Sequence, residues 1–229
     1  PNNPTGAVYP AETVRALVAL SARHQLVLFS DEIYDRILYD GARHIPVATL
    51  CHDTLCATFG GLSKVYRACG FRTGWVTFSG RKRHAGDYLE AVELLASLRL
   101  CANVPGQWAV QTALGGHQSI YDLTAESGRL GRQRRALLAG VAKSEWLDVV
   151  APMGALYAFP SIDAEKIPDF DDGRFAMELL EREHVLAVPG SSFNFGGRNH
   201  LRLTLLPDVD TMADVFVRME RLLSSMAPS

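Results

Sequence analysis

The sequence lacks a long apolar segment and an excess of charge of either sign. No run in its 229 residues approaches the roughly 18 apolar residues of a membrane-spanning helix. Lys and Arg number 23 against 25 Asp and Glu, a formal net charge of −2, so the chain has no general basic field to attract nucleic acid or anionic lipid. The first residues, Pro1 to Pro4, form neither a basic nor an apolar signal region. We therefore expect a cytoplasmic protein without a nucleic-acid or membrane partner.

Cysteine is scarce, and its spacing argues against disulfide and zinc frameworks. The chain has 4 cysteines, Cys51, Cys56, Cys69 and Cys101, and they form no C-x-x-C pair. They are also too sparse for the disulfide scaffold of a small secreted protein. We expect all four to be buried thiols, and we assign no metal site to the sequence.

What is present is the composition of an ordinary folded protein. Hydrophobic residues make up 48%, charged residues 21% and aromatic residues 9%, which is unlike disordered or collagen-like chains. A length of 229 residues fits one large domain or two small ones. The first residue is a proline, Pro1, and it lies inside what looks like a turn. We therefore expect the chain to be the C-terminal part of a longer protein.

The first half of the chain alternates helical and extended patterns. Residues 11–23 have apolar residues at helical spacing with charges between them, which predicts an amphipathic helix. Three short apolar runs, 26–31, 55–59 and 74–78, end in polar or glycine residues, as expected of strands buried on both faces of a parallel sheet. This alternation predicts an α/β layer.

From residue 81 onward the pattern is mostly helical. It predicts helices over 81–116, with a break near 103–105, and over 129–143. Residues 155–159 and 200–204 alternate like strands of a smaller sheet.

The last predicted element is a helix that Asp208 can cap. Its apolar stripe consists of Val209, Met212, Phe216, Met219 and Leu223. A shift in composition near residues 120–130 is the best boundary candidate. The predicted fold class is therefore α/β, with a partial, mostly parallel sheet and flanking helices in residues 1–120 and a smaller α+β domain in residues 121–229.

Polar groups that follow apolar strands are the candidate functional residues, since ligands bind at that position in open α/β sheets. Asp31 ends the run 26–31, where a carboxylate is costly unless a positive group meets it. Lys64 follows Gly60 and Gly61, where a desolvated amine can act as a Schiff-base nucleophile. An exposed lysine at a loop tip is the alternative interpretation of Lys64.

Two further stretches carry weaker signals. Arg202 lies between two leucines on a predicted strand, and an arginine there either receives a carboxylate in its planar fork or belongs to a structural ion pair. The stretch 2–6, Asn-Asn-Pro-Thr-Gly, is by itself explained by a plain turn.

Taken in order, these stretches resemble a known family. The sequence motifs that carry the resemblance are P-N-N-P-T-G, D-E-I-Y, L-S-K-V-Y-R-A-C-G-F-R-T-G-W, P-M-G-A-L-Y-A-F-P, P-G-S-S-F and L-R-L-T. They look like the class I/II, fold-type I pyridoxal phosphate aminotransferases over nearly the whole chain. Residues 93–116 are similar to bacterial alanine (glutamate-pyruvate) aminotransferases. The sequence departs from many relatives at Gly61, where they have a serine that binds the phosphate.

The resemblance implies roles for residues that contact the cofactor, pyridoxal 5'-phosphate. It implies that Lys64 forms the Schiff base and that Asp31 pairs with the pyridine nitrogen. Tyr34 would contact the 3-oxygen of the cofactor, and Ser63 and Arg72 would bind its phosphate.

The resemblance also implies a substrate and a reaction. Asn3 would contact both the 3-oxygen of the cofactor and the substrate, and Arg202 would bind the α-carboxylate of the substrate. The reaction would transfer an amino group between L-alanine and 2-oxoglutarate, and the full-length protein would be a homodimer. We expect the portion of the family that precedes P-N-N-P-T-G to be needed for activity, and we expect apolar strand faces to be uncovered without it.

Two other interpretations stay open at this point. The chain could belong to another fold-type I enzyme, either a different aminotransferase or a C-S lyase. It could also be an inactive, truncated remnant that retains the fold.

Overall fold

The computed structural model describes residues 1–227, which form two compact units. The first unit contains Pro1, Val8–Ile37 and Arg43–Tyr121. The second contains the segments Asn2–Ala7 and Leu38–Ala42 together with the chain from Asp122 onward. No helix within residues 1–227 is both long and apolar enough to cross a membrane.

The first unit has the predicted alternation of helices and strands. Its elements are α1 (Ala11–Arg23), β1 (Leu28–Asp31), β2 (Leu55–Gly61), β3 (Gly74–Gly80), α2 (Gly86–Leu98) and α3 (Val104–Gly115). The short α4 (Ile120–Thr124) follows, and its residues are divided between the two units. Val14 and Val18, one turn apart on α1, are buried as the helical spacing predicted. Val18 packs against Cys51 and Cys56 in the core of this unit.

The strands form one sheet in the order β1-β2-β3. Strands β1 and β2 are parallel, with Asp31 opposite Phe59. Strand β3 runs antiparallel to β2, with Gly74 opposite Gly61, although its apolar run was expected to be a strand of a parallel sheet. The reason is the connection: the segment 62–73 contains only a single 3₁₀ turn, Cys69–Phe71, and brings the chain back to the edge it left, whereas a parallel pair usually needs a crossover helix.

The strands are less buried than their apolar runs predicted. Leu55, Cys56 and Ala57 of β2 are buried, but Phe29 and Phe59 are 57% and 37% exposed, and their rings lie 5.8 Å apart. No residue of α2 is buried within the described chain, and Leu98 is 73% exposed. The expectation of uncovered apolar strand faces agrees with these exposures.

The cysteines divide into two pairs, so the prediction that all four are buried was wrong for half of them. Cys51 and Cys56 are buried in the core, where burial and the neighbouring Cys56 raise the pKa of the Cys51 thiol to about 12. Cys69 and Cys101 are exposed. Cys69 lies in a turn outside the sheet, and Cys101 lies in the connection between α2 and α3, so neither reaches the core.

The second unit packs helices over short antiparallel strands. Its elements are α5 (Arg129–Lys143), β4 (Leu147–Asp148), β5 (Tyr157–Ala158), β6 (Ser161–Ile162), α6 (Asp172–Glu183), β7 (Val188–Pro189), β8 (Leu201–Thr204) and α7 (Val209–Met226). Strand β8 lies between β5 and β7, and it is antiparallel to both. The fold positions β8 so that Leu201 and Leu203 are buried on one face.

The last helix begins where the sequence predicted. The Asp208 carboxylate accepts a hydrogen bond from the Thr211 backbone N–H at 2.8 Å, which caps α7. The apolar stripe is buried except for Val209, which is exposed because it is the first residue of the helix. Helix α6 was not predicted, although Asp171 caps it through the Arg174 N–H at 2.8 Å and Phe175 lies one turn further on.

Two short segments distant in sequence belong to the second unit through backbone hydrogen bonds. The N–H groups of Met153 and Gly154 both donate to the carbonyl of Gly6 at 2.9 Å, and Tyr39 N–H donates to the carbonyl of Met153 at 3.0 Å. The predicted division into domains 1–120 and 121–229 refers to a whole enzyme and stays a prediction.

Candidate active site

One edge of the first sheet carries the residues predicted to bind the cofactor. Asp31 is the last residue of β1, and Ser63 and Lys64 follow the end of β2. Arg72 precedes the first residue of β3. Because β1 and β2 are parallel and β3 runs back, the end of β1, the end of β2 and the start of β3 meet at the same edge. The structure therefore brings these side chains to one edge of one sheet, together with Tyr34, which follows β1 in the same loop.

The loop after β1 is a compact turn. The exposed Asp31 carboxylate accepts a hydrogen bond from the Ile33 N–H at 3.2 Å, and the Glu32 N–H donates to the carbonyl of Phe59 at 3.0 Å. The turn buries Tyr34, which is 6% exposed. Asp31 thus keeps one carboxylate oxygen turned to the backbone while the rest of the group faces solvent.

Lys64 lies on a closed loop after β2. Its neighbours Leu62 and Val65 are buried and anchor the loop, and the Ala68 N–H donates to the carbonyl of Leu62 at 3.0 Å. Lys64 itself is half-buried, which differs from the exposed loop tip that was the alternative interpretation. Its Nζ atom lies 6.0 Å from the centroid of the Tyr34 ring.

Arg72 adopts a backbone conformation that is uncommon for a residue with a side chain. Its φ is +48°, and its guanidinium donates to the carbonyl of Cys69 at 2.9 Å. Such conformations persist only where the surroundings hold them, and they cluster at ligand sites. Here Asn103, at the start of α3, donates its side-chain amide to the carbonyl of Phe71 at 2.6 Å. Sequence reasoning missed this support, because the two residues are far apart in the chain.

Glu32 ties the loop after β1 to a second loop, and this too was missed. Its carboxylate contacts His44 Nε2 at 3.0 Å and accepts hydrogen bonds from the Val47 N–H at 2.9 Å and from the Ser30 hydroxyl at 3.0 Å. Burial opposes ionisation of Glu32, but the hydrogen bonds from His44 and Val47 outweigh it, so the pKa of Glu32 lies below its ordinary value. Glu32 is therefore a charged anchor beside Asp31.

The second unit places Asn3 and Arg202 together. The Arg202 guanidinium donates to the side-chain carbonyl of Asn3 at 3.1 Å. Its Cζ atom lies over two aromatic rings, 4.7 Å from the centroid of Tyr157 and 5.0 Å from that of Phe193. Its Nε atom is buried and has no hydrogen-bond partner among residues 1–227.

The surroundings of Arg202 follow in part from its strand. Leu201 and Leu203 are buried on the opposite face, which turns the guanidinium away from their apolar layer as the alternation predicted. Tyr157 and Phe193 were not predicted to flank it. Both lie in motifs that the sequence singled out, L-Y-A-F-P and P-G-S-S-F, so their aromatic character was an available signal.

The predicted site residues therefore fall into two local groups. Asp31, Tyr34, Ser63, Lys64 and Arg72 belong to the first unit, and Asn3 and Arg202 belong to the second. Within residues 1–227 no three His, Cys, Asp or Glu side chains are grouped so that they could hold a metal ion.

Comparison with known proteins gives consistent results. The sequence pattern of the family "Aminotransferase class I and II" matches residues 1–216. An alanine aminotransferase of Mycobacterium tuberculosis is 47% identical over 98% of this chain and 52% of its own length. The glutamate-pyruvate aminotransferase AlaA of Escherichia coli is 47% identical over 98% of this chain and 55% of its own length. The chain thus spans about half the length of the curated relatives it matches.

Solved structures match the fold as well. An aminotransferase from Escherichia coli has a TM-score of 0.96 at 46% identity, covering 100% of this chain and 57% of its own. An alanine aminotransferase from Pyrococcus furiosus has a TM-score of 0.91 at 32% identity, covering 98% of this chain and 56% of its own. These matches confirm the predicted fold class and the resemblance inferred from the motifs.

Proposed function

The chain belongs to the class I and II aminotransferases, and we propose that it serves a pyridoxal-phosphate-dependent transfer of an amino group between L-alanine and 2-oxoglutarate. The observation that carries the proposal is the position of Lys64, half-buried beside the Tyr34 ring and on the same sheet edge as Asp31 and Arg72. The substrate pair is supported by the relatives at 47% identity, which are named alanine and glutamate-pyruvate aminotransferases.

Enzymes of this family depend on pyridoxal phosphate, and the side chains at the sheet edge fit that group. The cofactor carries an aldehyde, a pyridine nitrogen, a 3-oxygen and a phosphate. An amine at Lys64, a carboxylate at Asp31, a hydroxyl at Tyr34 and a guanidinium at Arg72 match these four features one by one. Ser63 adds a second donor for the phosphate. These residues would therefore hold the cofactor, which when bound accepts the electron pair left as the amino acid loses its α-proton.

The protein's own part in the reaction is to move a proton at Lys64. A primary amine on a loop anchored by Leu62 and Val65 is held in place without being fully buried. It can take a proton from the substrate carbon and return it to a neighbouring atom, as a general base and then a general acid. Asp31 would face the pyridine nitrogen with an exposed carboxylate that the Ile33 N–H holds in place by a hydrogen bond.

The substrate carboxylate would bind at Arg202. A buried donor without a partner costs about 1 to 3 kcal/mol, so the Arg202 Nε atom gains from receiving an acceptor. The rings of Tyr157 and Phe193 hold the guanidinium plane in place, which leaves its fork ready for two carboxylate oxygens. L-alanine and 2-oxoglutarate both carry an α-carboxylate, so one site can serve both substrates in turn.

The predicted homodimer and the cytoplasmic location are parts of the same proposal. The exposed apolar residues of α2, among them Leu94, Leu95 and Leu98, support an interface on that helix. Light scattering on the complete gene product tests the homodimer, and a monomer at micromolar concentration would contradict it.

Chemical trapping tests the proposed site directly. The complete gene product is mixed with pyridoxal phosphate, reduced with borohydride and mapped by peptide analysis. We expect the pyridoxyl label on Lys64 and none on the exposed Lys82, which lies after the far end of β3. A label on any other lysine would overturn the assignment.

Turnover then tests the substrates. We expect L-alanine and 2-oxoglutarate to yield pyruvate and glutamate. Release of a thiol from cystathionine would favour a C-S lyase instead. If the cofactor-loaded protein reacts with neither L-alanine nor cystathionine, an inactive remnant is favoured.

A further inference from the structure

The second unit, which contains Arg202, also contains a buried arginine on α5. Arg134 is 5% exposed, and its guanidinium has two polar partners. Its Nε–H donates to the carbonyl of Pro152 at 2.7 Å, and its Nη2 donates to the Asp40 carboxylate at 2.7 Å. The guanidinium also stacks 5.2 Å from the Tyr39 ring. Burying a charged group is costly unless it is paired and hydrogen-bonded, so this arrangement is a built feature of the fold.

Tyr39 binds the same segment as Arg134, residues 152–155. Its hydroxyl donates to the carbonyl of Ala155 at 3.0 Å, and its N–H donates to the carbonyl of Met153 at 3.0 Å. Burial raises the pKa of Tyr39, which keeps the hydroxyl protonated and able to donate. Arg134 and Tyr39 together therefore hold the carbonyls of 152, 153 and 155.

The opposite side of this segment rests on the turn that carries Asn3. Met153 and Gly154 donate their N–H groups to the Gly6 carbonyl, as described above. Gly6 has a φ of +69°, and a Cβ atom there would lie 2.3 Å from the Pro152 Cβ. The turn and the segment are thus in contact with no space between them. A displacement of Pro152 toward the turn would therefore press on Gly6.

Residues 152–155 and the turn at residues 2–6 are each connected to a side chain that contacts Arg202. Asn3 lies within the turn and accepts the hydrogen bond from Arg202. Tyr157 lies two residues beyond Ala155 and stacks on the Arg202 guanidinium. Two of the groups that orient Arg202 therefore rest on a segment that Arg134 fixes.

We propose that Arg134 is a positioning residue for the substrate carboxylate: it fixes residues 152–155 and, through them, sets Asn3 and Tyr157 around Arg202. The inference rests on the proposed function, because it takes Arg202 as the carboxylate-binding group. Arg134 itself would not touch the substrate. It acts on the orientation of the guanidinium that does.

The experiment separates positioning from mere support of the fold. Arg134→Lys, which cannot bridge Pro152 and Asp40 with a planar fork, is made in the complete gene product loaded with pyridoxal phosphate. Tyr39→Phe is the milder variant, since it removes only the hydroxyl bond to Ala155 and keeps the ring. Arg135→Ala is the matched control, because Arg135 is the next residue of α5 but is exposed and pairs with the exposed Glu126.

The readouts are the KM values for L-alanine and 2-oxoglutarate, kcat, and the dissociation constant of glutarate by calorimetry. Glutarate has both carboxylates of 2-oxoglutarate but no oxo group, so it binds without reacting. Since misplacement of a binding group by a fraction of an ångström is costly, we expect Arg134→Lys to raise both KM values and to weaken glutarate by about tenfold. Tyr39→Phe should weaken glutarate by about threefold. Both variants should leave the affinity for pyridoxal phosphate within about twofold, and Arg135→Ala should leave every value unchanged.

Arg202→Lys distinguishes failure of this inference from failure of the proposed function. If Arg202→Lys weakens glutarate but neither Arg134→Lys nor Tyr39→Phe does, the positioning role is overturned and the proposed site stands. Equal loss of glutarate and pyridoxal phosphate in the Arg134 and Tyr39 variants also overturns it, because Arg134 then supports only the fold. If Arg202→Lys itself leaves glutarate binding unchanged, the proposed carboxylate site is wrong and the inference falls with it. Should Arg134→Lys not fold, Tyr39→Phe decides the outcome.

Discussion

The two groups of site residues are held in different ways. In the second unit, Arg202 is oriented by side chains: two aromatic rings, the amide of Asn3, and a strand whose other face is buried. In the first unit, Lys64 and Asp31 are oriented mainly by backbone hydrogen bonds of tight turns, at the edge of a sheet that exposes Phe29 and Phe59. The proposed carboxylate-binding group is thus held in place by packing, whereas the proposed cofactor-binding groups are held by loop geometry.

This difference indicates where substitutions will act. The exposed Asp31 and the half-buried Lys64 at the sheet edge can be changed with little loss of packing, so the effects should fall on chemistry. Side chains in the core of the second unit cannot be changed without loss of packing, because a close-packed interior tolerates little change in volume. The following predictions test the contrast, in order of decreasing effect.

Lys64→Ala should greatly reduce turnover while leaving the fold intact. Removal of a group that transfers the proton lowers kcat by about 10²- to 10⁴-fold, and the half-buried side chain contributes little to packing. Turnover with L-alanine and the thermal unfolding midpoint of the complete gene product are the measurements. Lys82→Ala, at an exposed lysine, is the control and should match the unsubstituted protein. A large drop in the midpoint of Lys64→Ala would break the contrast between the two regions.

Phe175→Ala should act on the stability of the fold, in contrast to Lys64→Ala, which should act on turnover. Phe175 on α6 is 0% exposed, and truncating a buried phenylalanine costs about 3 to 5 kcal/mol of the free energy of unfolding. Met177→Ala on the same helix removes a 55% exposed side chain and should cost less than about 0.5 kcal/mol. Denaturant unfolding measures both. Equal costs for the two variants would show that the second unit is not packed as described.

Arg202→Lys should weaken both substrates and spare the cofactor. Losing a charge-assisted hydrogen bond costs roughly 1.5 to 3 kcal/mol, which predicts about one to two orders of magnitude in affinity for L-alanine and for 2-oxoglutarate. Pyridoxal phosphate binding, followed by absorbance, should hardly change. A parallel loss of cofactor and substrate binding would instead place Arg202 in a structural ion-pair role.

Glu32→Gln should have the smallest effect, and it should depend on pH. The pKa of Glu32 in the folded protein lies below its ordinary value of 4.5. The unfolded chain therefore binds the proton first as pH falls, so the stabilisation by the carboxylate is present above pH 4.5 and is lost as pH falls through the folded pKa. At neutral pH the substitution should cost about 1 kcal/mol.

Thermal unfolding across this pH range measures the effect. The difference between the unsubstituted protein and Glu32→Gln should shrink on acidification. Glu90→Gln, at an exposed carboxylate on α2, should show no such dependence. A difference that stays constant with pH would remove Glu32 as a charged anchor of the loop beside Asp31.

Much of the secondary structure could be predicted from the sequence, and the candidate site residues could be selected from it. Helix α1 and the Asp208 cap of α7 depend on spacing and on side chains within a few residues of each other, so a local pattern is enough to find them. Lys64 and Asp31 stood out because a charged residue at the end of an apolar strand needs an explanation. Helix α6 was missed even though its cap and its buried Phe175 are equally local, because its first residues are rich in Asp and Gly, which are typical of turns.

The exposure of Cys69 and Cys101, the direction of β3 and the surroundings of Arg202 could not be predicted in this way. Each depends on which distant parts of the chain lie next to one another. Burial of a cysteine is decided by whether its loop reaches the core, and the direction of a strand is decided by where its connection returns.

The sequence by itself determined the hydrophobic period of the helices and strands, the capping residues, and the residue types proposed to carry the chemistry. Only the tertiary structure decided how those residues are held. Arg202 meets Asn3 across a separation of 199 residues, and Arg134 reaches Asp40 across 94. No spacing rule links positions so far apart, because such contacts form only when helices and strands pack and bury their apolar faces together.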